Sequence, residues 1–458
     1  MSAAEKDAVV GLYAAHQKVY PREVRGRFSR WRIASVIVLL GVFYLLPWIR
    51  FDGRQAVLFD LPARQFHIFG LTFLPQDFFF LTWLLVIAAL SLFFFTALAG
   101  RLWCGYACPQ TVWTEIFVWM ERLVEGGHRQ RMKLDEGPWT ANKILRKSAK
   151  QLLWVSFALY TGFTFVGYFT PIEVLFAKIR SASLGGWETF WMLFYGFATY
   201  GNAGYMREQV CKYMCPYARF QGAMFDADTL IISYDAARGE PRGSRSRNTP
   251  AASRGLGDCI DCTLCVQACP TGIDIRNGLQ LECIACAACI DACDGVMDRM
   301  GYPRGLIRYT TQTALEGGKT RILRTRVLVY GALLLALLIG FAVSIANRPL
   351  IEIDVLRDRN ALFREVGADI ENVYTLRLIN KDAQAQTVHL AVRDLPGAIL
   401  ESERPAWSLD AGEVASATIR IRVPASAVSG GHDIAIVART GDGSETVART
   451  RFLAPVAP

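Results

Sequence analysis

Hydrophobic residues follow two regimes along this chain. Up to about residue 346, long unbroken apolar runs alternate with short charged stretches; beyond it, apolar residues alternate singly with polar ones. A bilayer core of ~30 Å is matched by about 20 residues of helix. Five runs approach that length, at 33–49, 78–99, 151–170, 187–205 and 327–346, and each is expected to be a transmembrane helix. The first is a little short. The fourth carries Glu188, Asn202 and several glycines, so a re-entrant or interfacial segment competes with a span there. The first 30 residues are polar and contain no apolar core ending at a small-residue site, so no cleavable signal peptide is expected.

In the last segment the alternation recurs at Tyr374, Leu376 and Leu378, at Val388, Leu390 and Val392, at Ile419, Ile421 and Val423, and at Ile434, Ile436 and Ala438. Turn sequences such as Asn380-Lys381-Asp382 and Gly441-Asp442-Gly443 separate some of these runs. Short strands at that spacing predict a small β-sandwich. The fold class is therefore a membrane protein, mostly α-helical, with five spans and a C-terminal all-β sandwich.

Composition agrees: of 458 residues, 52% are hydrophobic and 20% charged, with a mean hydropathy of +0.23. Fifty Lys and Arg against 41 Asp and Glu leave a net charge of +9, but the excess sits beside the spans. Cytoplasmic loops hold such an excess. The segment before span one has Lys18, Arg22, Arg25, Arg27, Arg30 and Arg32, and the loop between spans two and three has nine basic residues, whereas the loop after span three has only Lys178 and Arg180. The N-terminus is thus placed in the cytoplasm and everything after Asn347 on the far side. The basic charge is a topology signal, and no nucleic-acid partner is expected. Arg22, Arg25, Arg27 and Arg30 read as anchors to anionic lipid headgroups, and Tyr13, Tyr20, Trp31, Trp48, Trp103 and Trp187 as an aromatic belt.

The far-side segment holds thirteen basic residues, fifteen acidic ones and no cysteine, so all twelve cysteines fall on or near the reducing side. Cys259, Cys262, Cys265 and Cys269-Pro270 form C-x2-C-x2-C-x3-C-P, and Cys283, Cys286, Cys289 and Cys293 repeat the spacing. Three closely spaced thiolates cap three corners of a cubane, and the fourth ligand crosses over from the other run. The spacing therefore predicts two [4Fe–4S] clusters, one on Cys259, Cys262, Cys265 and Cys293, the other on Cys283, Cys286, Cys289 and Cys269. Structural zinc, the competing reading, shows two C-x2-C pairs rather than two complete runs. Asp294 stands where the second run's proline would be, which puts the turn after Cys293 in question. Small residues around the second run, Ala285, Ala287, Ala288 and Ala292, suit close backbone approach to a cluster. The stretch 236–255, rich in Arg, Ser, Gly and Pro, reads as a flexible linker.

Two further pairs, Cys104-x3-Cys108-Pro109 and Cys211-x3-Cys215-Pro216, each begin about five residues after an inward-running span, at the cytoplasmic membrane face. Four residues make one helical turn, which would point both thiols of a pair the same way; the proline can start the next helix. The four thiols can bind a third cluster or copper, or act as a redox dithiol; soft ligands favour Cu(I), with Met214 as a thioether candidate. The plainer reading is buried packing thiols, against which two matched motifs at equivalent positions count.

The five histidines, His16, His67, His128, His389 and His432, lie outside the spans, so bis-histidine haem in the bundle has no ligands. No C-x2-C-H, P-loop or dinucleotide glycine motif occurs, and electrons must enter from a quinol, a soluble donor or a partner protein. The expected organisation is a basic tail at 1–32, a four-helix membrane region at 33–206, a connector at 207–256, the ferredoxin module at 257–300, a second connector at 301–326, the fifth span at 327–346 and the sandwich at 347–458.

The stretches Val19-Tyr20-Pro21-Arg22-Glu23-Val24, Gln65-Phe66-His67-Ile68-Phe69-Gly70-Leu71-Thr72-Phe73, Pro75-Gln76-Asp77-Phe78-Phe79 and Gly305-Leu306-Ile307-Arg308-Tyr309, together with both C-x3-C-P motifs and the paired cluster runs, resemble the FixG/CcoG family of cytochrome c oxidase accessory proteins over nearly the whole chain. The resemblance implies a bacterial inner-membrane iron–sulfur protein needed to assemble a cbb-type haem–copper oxidase. It implies an oxidoreductase that reduces Cu(II), partnered by oxidase subunits or copper-delivery proteins, and a periplasmic, immunoglobulin-like last domain. Under that expectation Cys104, Cys108, Cys211 and Cys215 form the copper-proximal group. A quinol-oxidising conduit to another reductase and a non-enzymatic assembly scaffold are the alternatives.

Overall fold

The computed structural model describes residues 18–51, 53–247, 255–358, 361–382, 384–441 and 443–456. Tyr13, His16 and the turn residue Asp442 lie outside these. Among the described residues three helices are long and apolar enough to cross a bilayer: Arg27–Trp48, Pro75–Ala99 and Thr325–Ala346. Their surfaces expose Ile37, Val38 and Val42, then Leu84 and Leu85, then Leu333, Leu335 and Ile339. Such continuous apolar surface is stable only where lipid replaces water.

The other two expected spans are helical. The run at 151–170 falls largely within Ala141–Val166, whose first turns carry Lys143, Arg146, Lys147 and Lys150. The run at 187–205 is an α-helix over Gly186–Thr199 that widens into a π-helix over Tyr200–Met206. Two glycines on facing helices, Gly162 in the run at 151–170 and Gly196 in the run at 187–205, have a packing reason: a Cβ on Gly162 would strike the Met192 carbonyl oxygen, and one on Gly196 would lie 3.3 Å from Ala158 O. Small residues let the two backbones approach this closely.

The chain divides into two compact units. The first comprises 1–45, 85–166 and 177–335 and contains all twelve cysteines. Helix Pro109–Glu125 is its polar keel, with Glu121 and Glu125 fully buried. Glu121 pairs with Arg207 at 2.5 Å and Arg131 at 3.5 Å, and Glu125 with Lys147 at 2.9 Å and Lys150 at 3.2 Å. Several of the basic residues that signal topology are therefore spent on buried ion pairs. Trp31, Trp48, Trp103 and Trp187 are exposed, as an interfacial belt requires, whereas the Tyr20 hydroxyl donates to Asp135 at 2.5 Å.

The linker expected at 236–255 is otherwise over its described part. Residues 236–239 form a helical turn capped by Asp235, Arg238 pairs with Asp258 at 2.6 Å, and Arg245 donates to Gly257 O at 2.7 Å and lies over the Tyr302 ring. Arginines that make the stretch look solvated in sequence act here as donors to the backbone beside the first cysteine run.

The second unit comprises 46–84, 167–176 and 336–458. Its sandwich strands are β1 Ile351–Arg357, β2 Arg364–Val366, β3 Asp369–Asn380, β4 Gln386–Arg393, β5 Ile399–Ser402, β6 Trp407–Leu409, β7 Val414–Pro424, β8 Gly431–Thr440 and β9 Glu445–Leu453. One sheet runs β5-β7-β3-β1 with β2 also on β3, the other β6-β4-β8-β9. All pairs are antiparallel, with Tyr374 opposite Ile419 and Leu376 opposite Ala417. The alternating positions read from sequence fill the core: Tyr374, Leu376, Leu378, Ile419, Ile421 and Val423 are completely buried. Asn372 ties the two sheets together, donating to Leu453 O and accepting from Leu453 N at 2.8 and 3.0 Å.

Candidate iron–sulfur and thiol centre

The two cysteine runs fold as a backbone repeat. Cys259 and Cys283 are 24 residues apart, and at the same offset Asp261 and Ala285, then Thr263 and Ala287, all take left-handed φ between 51° and 59°. Thr263 and Ala287 are the N-caps of helices Leu264–Gln267 and Ala288–Met300. A left-handed turn before a helix curls successive N–H groups inward, which suits an anionic sulfur cluster. The repeat breaks at its end. Cys269-Pro270 follows a short helix, whereas Cys293-Asp294 lies inside the longer one, where a proline would lose a helical N–H and clash. Asp294 instead accepts from Gly305 N at 3.0 Å. The turn in question after Cys293 is thus a continuing helix.

Folding brings the runs across one another. Cys259, Cys262, Cys265 and Cys293 border one small cavity, and Cys269, Cys283, Cys286 and Cys289 border a second, with Cys265 reaching both. An apolar shell including Ile232, Ile275, Ile290, Val296, Leu306 and Ile307 surrounds them. Burial pushes Cys293 up to about 12, and negative charge on Cys265 and Cys259 adds to it. Burial likewise pushes Cys283 up to about 12, with Cys286 and Cys269 adding and the Ala285 N–H opposing. Two cysteine quartets in small cavities with apolar surroundings have the donor set of [4Fe–4S] sites.

The C-x3-C-P pairs do not follow a single helical turn. Cys104 lies on the short helix Leu102–Tyr106 and Cys211 on a π-helix at Val210–Met214, but Cys108 and Cys215 are extended N-caps, with φ, ψ of −61°, 128° and −78°, 109°. The following proline excludes the α conformation at the second cysteine and then starts helices Pro109–Glu125 and Pro216–Met224. The Thr111 and Gln110 N–H groups consequently favour a thiolate at Cys108, while burial, the largest effect, raises it.

The pairs also come together. Burial pushes Cys104 up to about 12, with Cys108 and Cys211 adding and Arg101 opposing. Burial also pushes Cys211 up to about 12, with Cys108, Cys215 and Glu208 adding and Arg101 opposing. Cys104 and Cys211 pack against an apolar cluster that contains Cys286 of the second quartet. At Gly105 the approach is tightest: a Cβ there would lie 2.8 Å from the carbonyl oxygens of both Ile284 and Ala285. Arg101 donates to Cys283 O at 3.1 Å, Arg32 to Cys286 O at 3.3 Å and Tyr309 to Ala285 O at 2.6 Å.

Cys104 Sγ donates to Gln221 Oε1 at 3.5 Å, while Gln221 Nε2 and Arg101 Nε are buried without partners. Met214 is 56% exposed, a poor setting for a thioether that would close a buried thiol group. Sequence reasoning counts Arg32 and Arg101 only as topology charges and gives Gly105 and Gln221 no role. Only proximity to a motif points to Arg101 and Gly105, and nothing points to Gln221.

A 4Fe-4S dicluster domain matches residues 206–312, a 4Fe-4S binding domain residues 80–125, and the IG-like fold at the C-terminus of FixG residues 341–455. The chain is 40% identical to the nitrogen fixation protein FixG of Rhizobium meliloti, covering 85% of this chain and 82% of that one. It is 39% identical to protein RdxA of Cereibacter sphaeroides, covering 92% and 91%. The crystal structure of a FixG-related protein from Vibrio parahaemolyticus matches 23% of this chain and 98% of that one, at 27% identity and a TM-score of 0.22. With a shared C-terminal domain, shared cluster domains and this identity over most of its length, the chain belongs to the FixG family of iron–sulfur redox proteins.

Proposed function

We propose that this protein carries electrons through its ferredoxin module to Cys104, Cys108, Cys211 and Cys215, where substrate Cu(II) is reduced to the Cu(I) used in maturing a cbb-type haem–copper oxidase. The observation that supports this best is the packing of Cys104 and Cys211 against the apolar cluster containing Cys286. Cys259, Cys262, Cys265 and Cys293 would hold one [4Fe–4S] cluster and Cys283, Cys286, Cys289 and Cys269 the other. When bound, these supply one-electron carriers, and each Cu(II) needs one electron. The chain crosses the inner membrane five times in this reading, with the N-terminus and ferredoxin module cytoplasmic and the immunoglobulin-like domain periplasmic. Oxidase subunits or copper-delivery proteins take the Cu(I).

The residues have definite tasks. Four soft thiolates bind Cu(I) more favourably than Cu(II), so they pull the reduction forward. Cys108 gains from the helix N-terminus it caps, whose N–H groups and dipole favour a thiolate. Arg101 holds positive charge beside both pairs and grips the Cys283 backbone, keeping the thiols and the second quartet in register.

A second reading places a third [4Fe–4S] cluster on the same thiols. It is favoured by the match of a 4Fe-4S binding domain to residues 80–125, where Cys104 and Cys108 are the only cysteines. Unpartnered Gln221 Nε2 and Arg101 Nε would then donate to its sulfurs. Anaerobic EPR with iron, sulfide and copper quantification separates the two, comparing wild type with Cys104→Ala and Cys211→Ala. About eight irons, with cluster oxidation matching Cu(II) loss in wild type alone, supports copper reduction. About twelve irons falling to about eight in both variants supports the third cluster. Intact clusters that reduce no Cu(II) with any physiological donor would sink the first reading.

A further inference from the structure

Beside the thiol centre lies a cavity of about 700 Å³, formed wholly within the first unit. Its walls are the arm and helix start at 19–33, helix Pro109–Glu125, Arg207 to Cys211, and the backs of both cysteine runs, including Cys286. Its size falls within the ~300–1,000 Å³ typical of small-ligand sites. Eight arginines line it against three glutamates. Arg22, Arg25 and Arg30 have no carboxylate partner among the described residues. Arg32 Nε, Arg122 Nε and Arg207 Nη1 are buried with no hydrogen-bond partner among the described residues. A buried guanidinium N–H without an acceptor has given up its hydration with no hydrogen bond in return. Arg207 pairs with Glu121, Arg122 with Glu115 and Arg304 with Asp298, so the excess positive charge lies on Arg22, Arg25, Arg27, Arg30 and Arg32, and together with the unsatisfied N–H groups it calls for an anionic acceptor that the described residues do not supply.

We propose that this cavity binds a phosphate-bearing anion, the group that guanidinium forks grip bidentately. The site is coupled to the redox centre, because Arg32 donates to the Cys286 carbonyl through Nη1 while its Nε is unsatisfied. Negative charge there opposes further negative charge on the neighbouring quartet, so occupancy lowers its reduction potential and strengthens it as a reductant. The phosphate comes either from a lipid headgroup, since Arg22 to Arg32 precede the first apolar run, or from a soluble phosphate ester.

The full chain in phosphatidylcholine nanodiscs tests this, with inorganic pyrophosphate as the probe in calorimetry and ³¹P NMR, at low salt so that screening does not mask the contact. Arg25→Gln with Arg30→Gln should weaken binding about tenfold or more, because two charge-assisted contacts are lost. Unchanged cluster absorbance in that variant shows that it is folded. Wild-type binding that persists in discs containing phosphatidylglycerol assigns a soluble source. Binding abolished by that lipid, or arginine-dependent lipid retention without pyrophosphate binding, assigns the headgroup. Occupancy should move the cluster midpoint potential negative in wild type only. If neither probe binds, or the double variant binds either as tightly as wild type, the site does not exist. None of these readouts needs copper reduction, so this inference can fail while the proposed function stands.

Discussion

Replacing Gly105 by alanine tests the contact between the C-x3-C-P region and the second cysteine run. The new Cβ would sit 2.8 Å from Ile284 O and Ala285 O and 2.9 Å from Ala285 C, all backbone atoms, whereas ordinary contact begins at 3.4 Å. The 283–286 loop would have to retreat by about 0.6 Å, the difference between those distances. No flexible side chain can absorb it, and Arg101, Tyr309 and Arg32 hold the same loop by its carbonyls. Overpacking of this kind costs ~1–3 kcal/mol. Thermal loss of the visible cluster absorbance in detergent is the assay, with EPR line shape as the second readout. Gly105→Ala should lose its clusters at lower temperature and show an altered signal from one of them. Gly41→Ala, with nothing within 4 Å of the new methyl, is the control and should match wild type. If Gly105→Ala keeps wild-type absorbance and EPR through the same temperatures, the two elements are not in contact and the proposed electron route loses its support.

Glu121→Gln should cost ~3–5 kcal/mol at neutral pH by leaving the buried Arg131 and Arg207 without their counter-charge, as read from chemical denaturation in detergent. Its pH dependence has a definite sign. Burial raises the Glu121 carboxyl, but Arg207, Lys18 and Arg131 outweigh it and hold the group below its ordinary 4.5; its stabilisation is present above that value and lost as pH falls through the lower folded one, so the variant should lose less stability on acidification than wild type. Lys381→Met should destabilise the second unit by a similar ~3–5 kcal/mol, because Asp77 at 2.8 Å and Glu352 at 2.6 Å lose their shared cation; an unchanged melting temperature would refute the pairing. In cluster-free protein at pH 8, iodoacetamide should label exposed Cys262 before Cys283 and Cys293, both pushed up to about 12 by burial, and peptide mass spectrometry should show labelling of the latter rising about tenfold per pH unit towards 10.

Much of this protein is local, and local features are legible in a sequence. Period-two alternation in β3 and β7 predicts which side chains enter the sandwich core, because a strand's faces alternate whatever it pairs with. Repeated C-x2-C-x2-C-x3-C spacing announces cluster chemistry, since three corners of a cubane come from one turn of chain. Proline after Cys108 and Cys215 starts both following helices, by its own geometry.

Only the tertiary structure decided what meets what. Asn380-Lys381-Asp382 reads as a solvated turn, yet Lys381 is a buried cation because Asp77, some 300 residues away by number, arrives beside it. The basic residues of 100–150 read as a topology signal, yet Lys147 and Lys150 neutralise a glutamate on a neighbouring helix. Composition marks charge but not its partner, because an ion pair depends on which distant elements pack. For the same reason spacing identifies the C-x3-C-P thiols as a candidate site, but their approach to Cys286 depends on an absent side chain at Gly105, and the arginine-lined cavity exists only where six separate segments close around it.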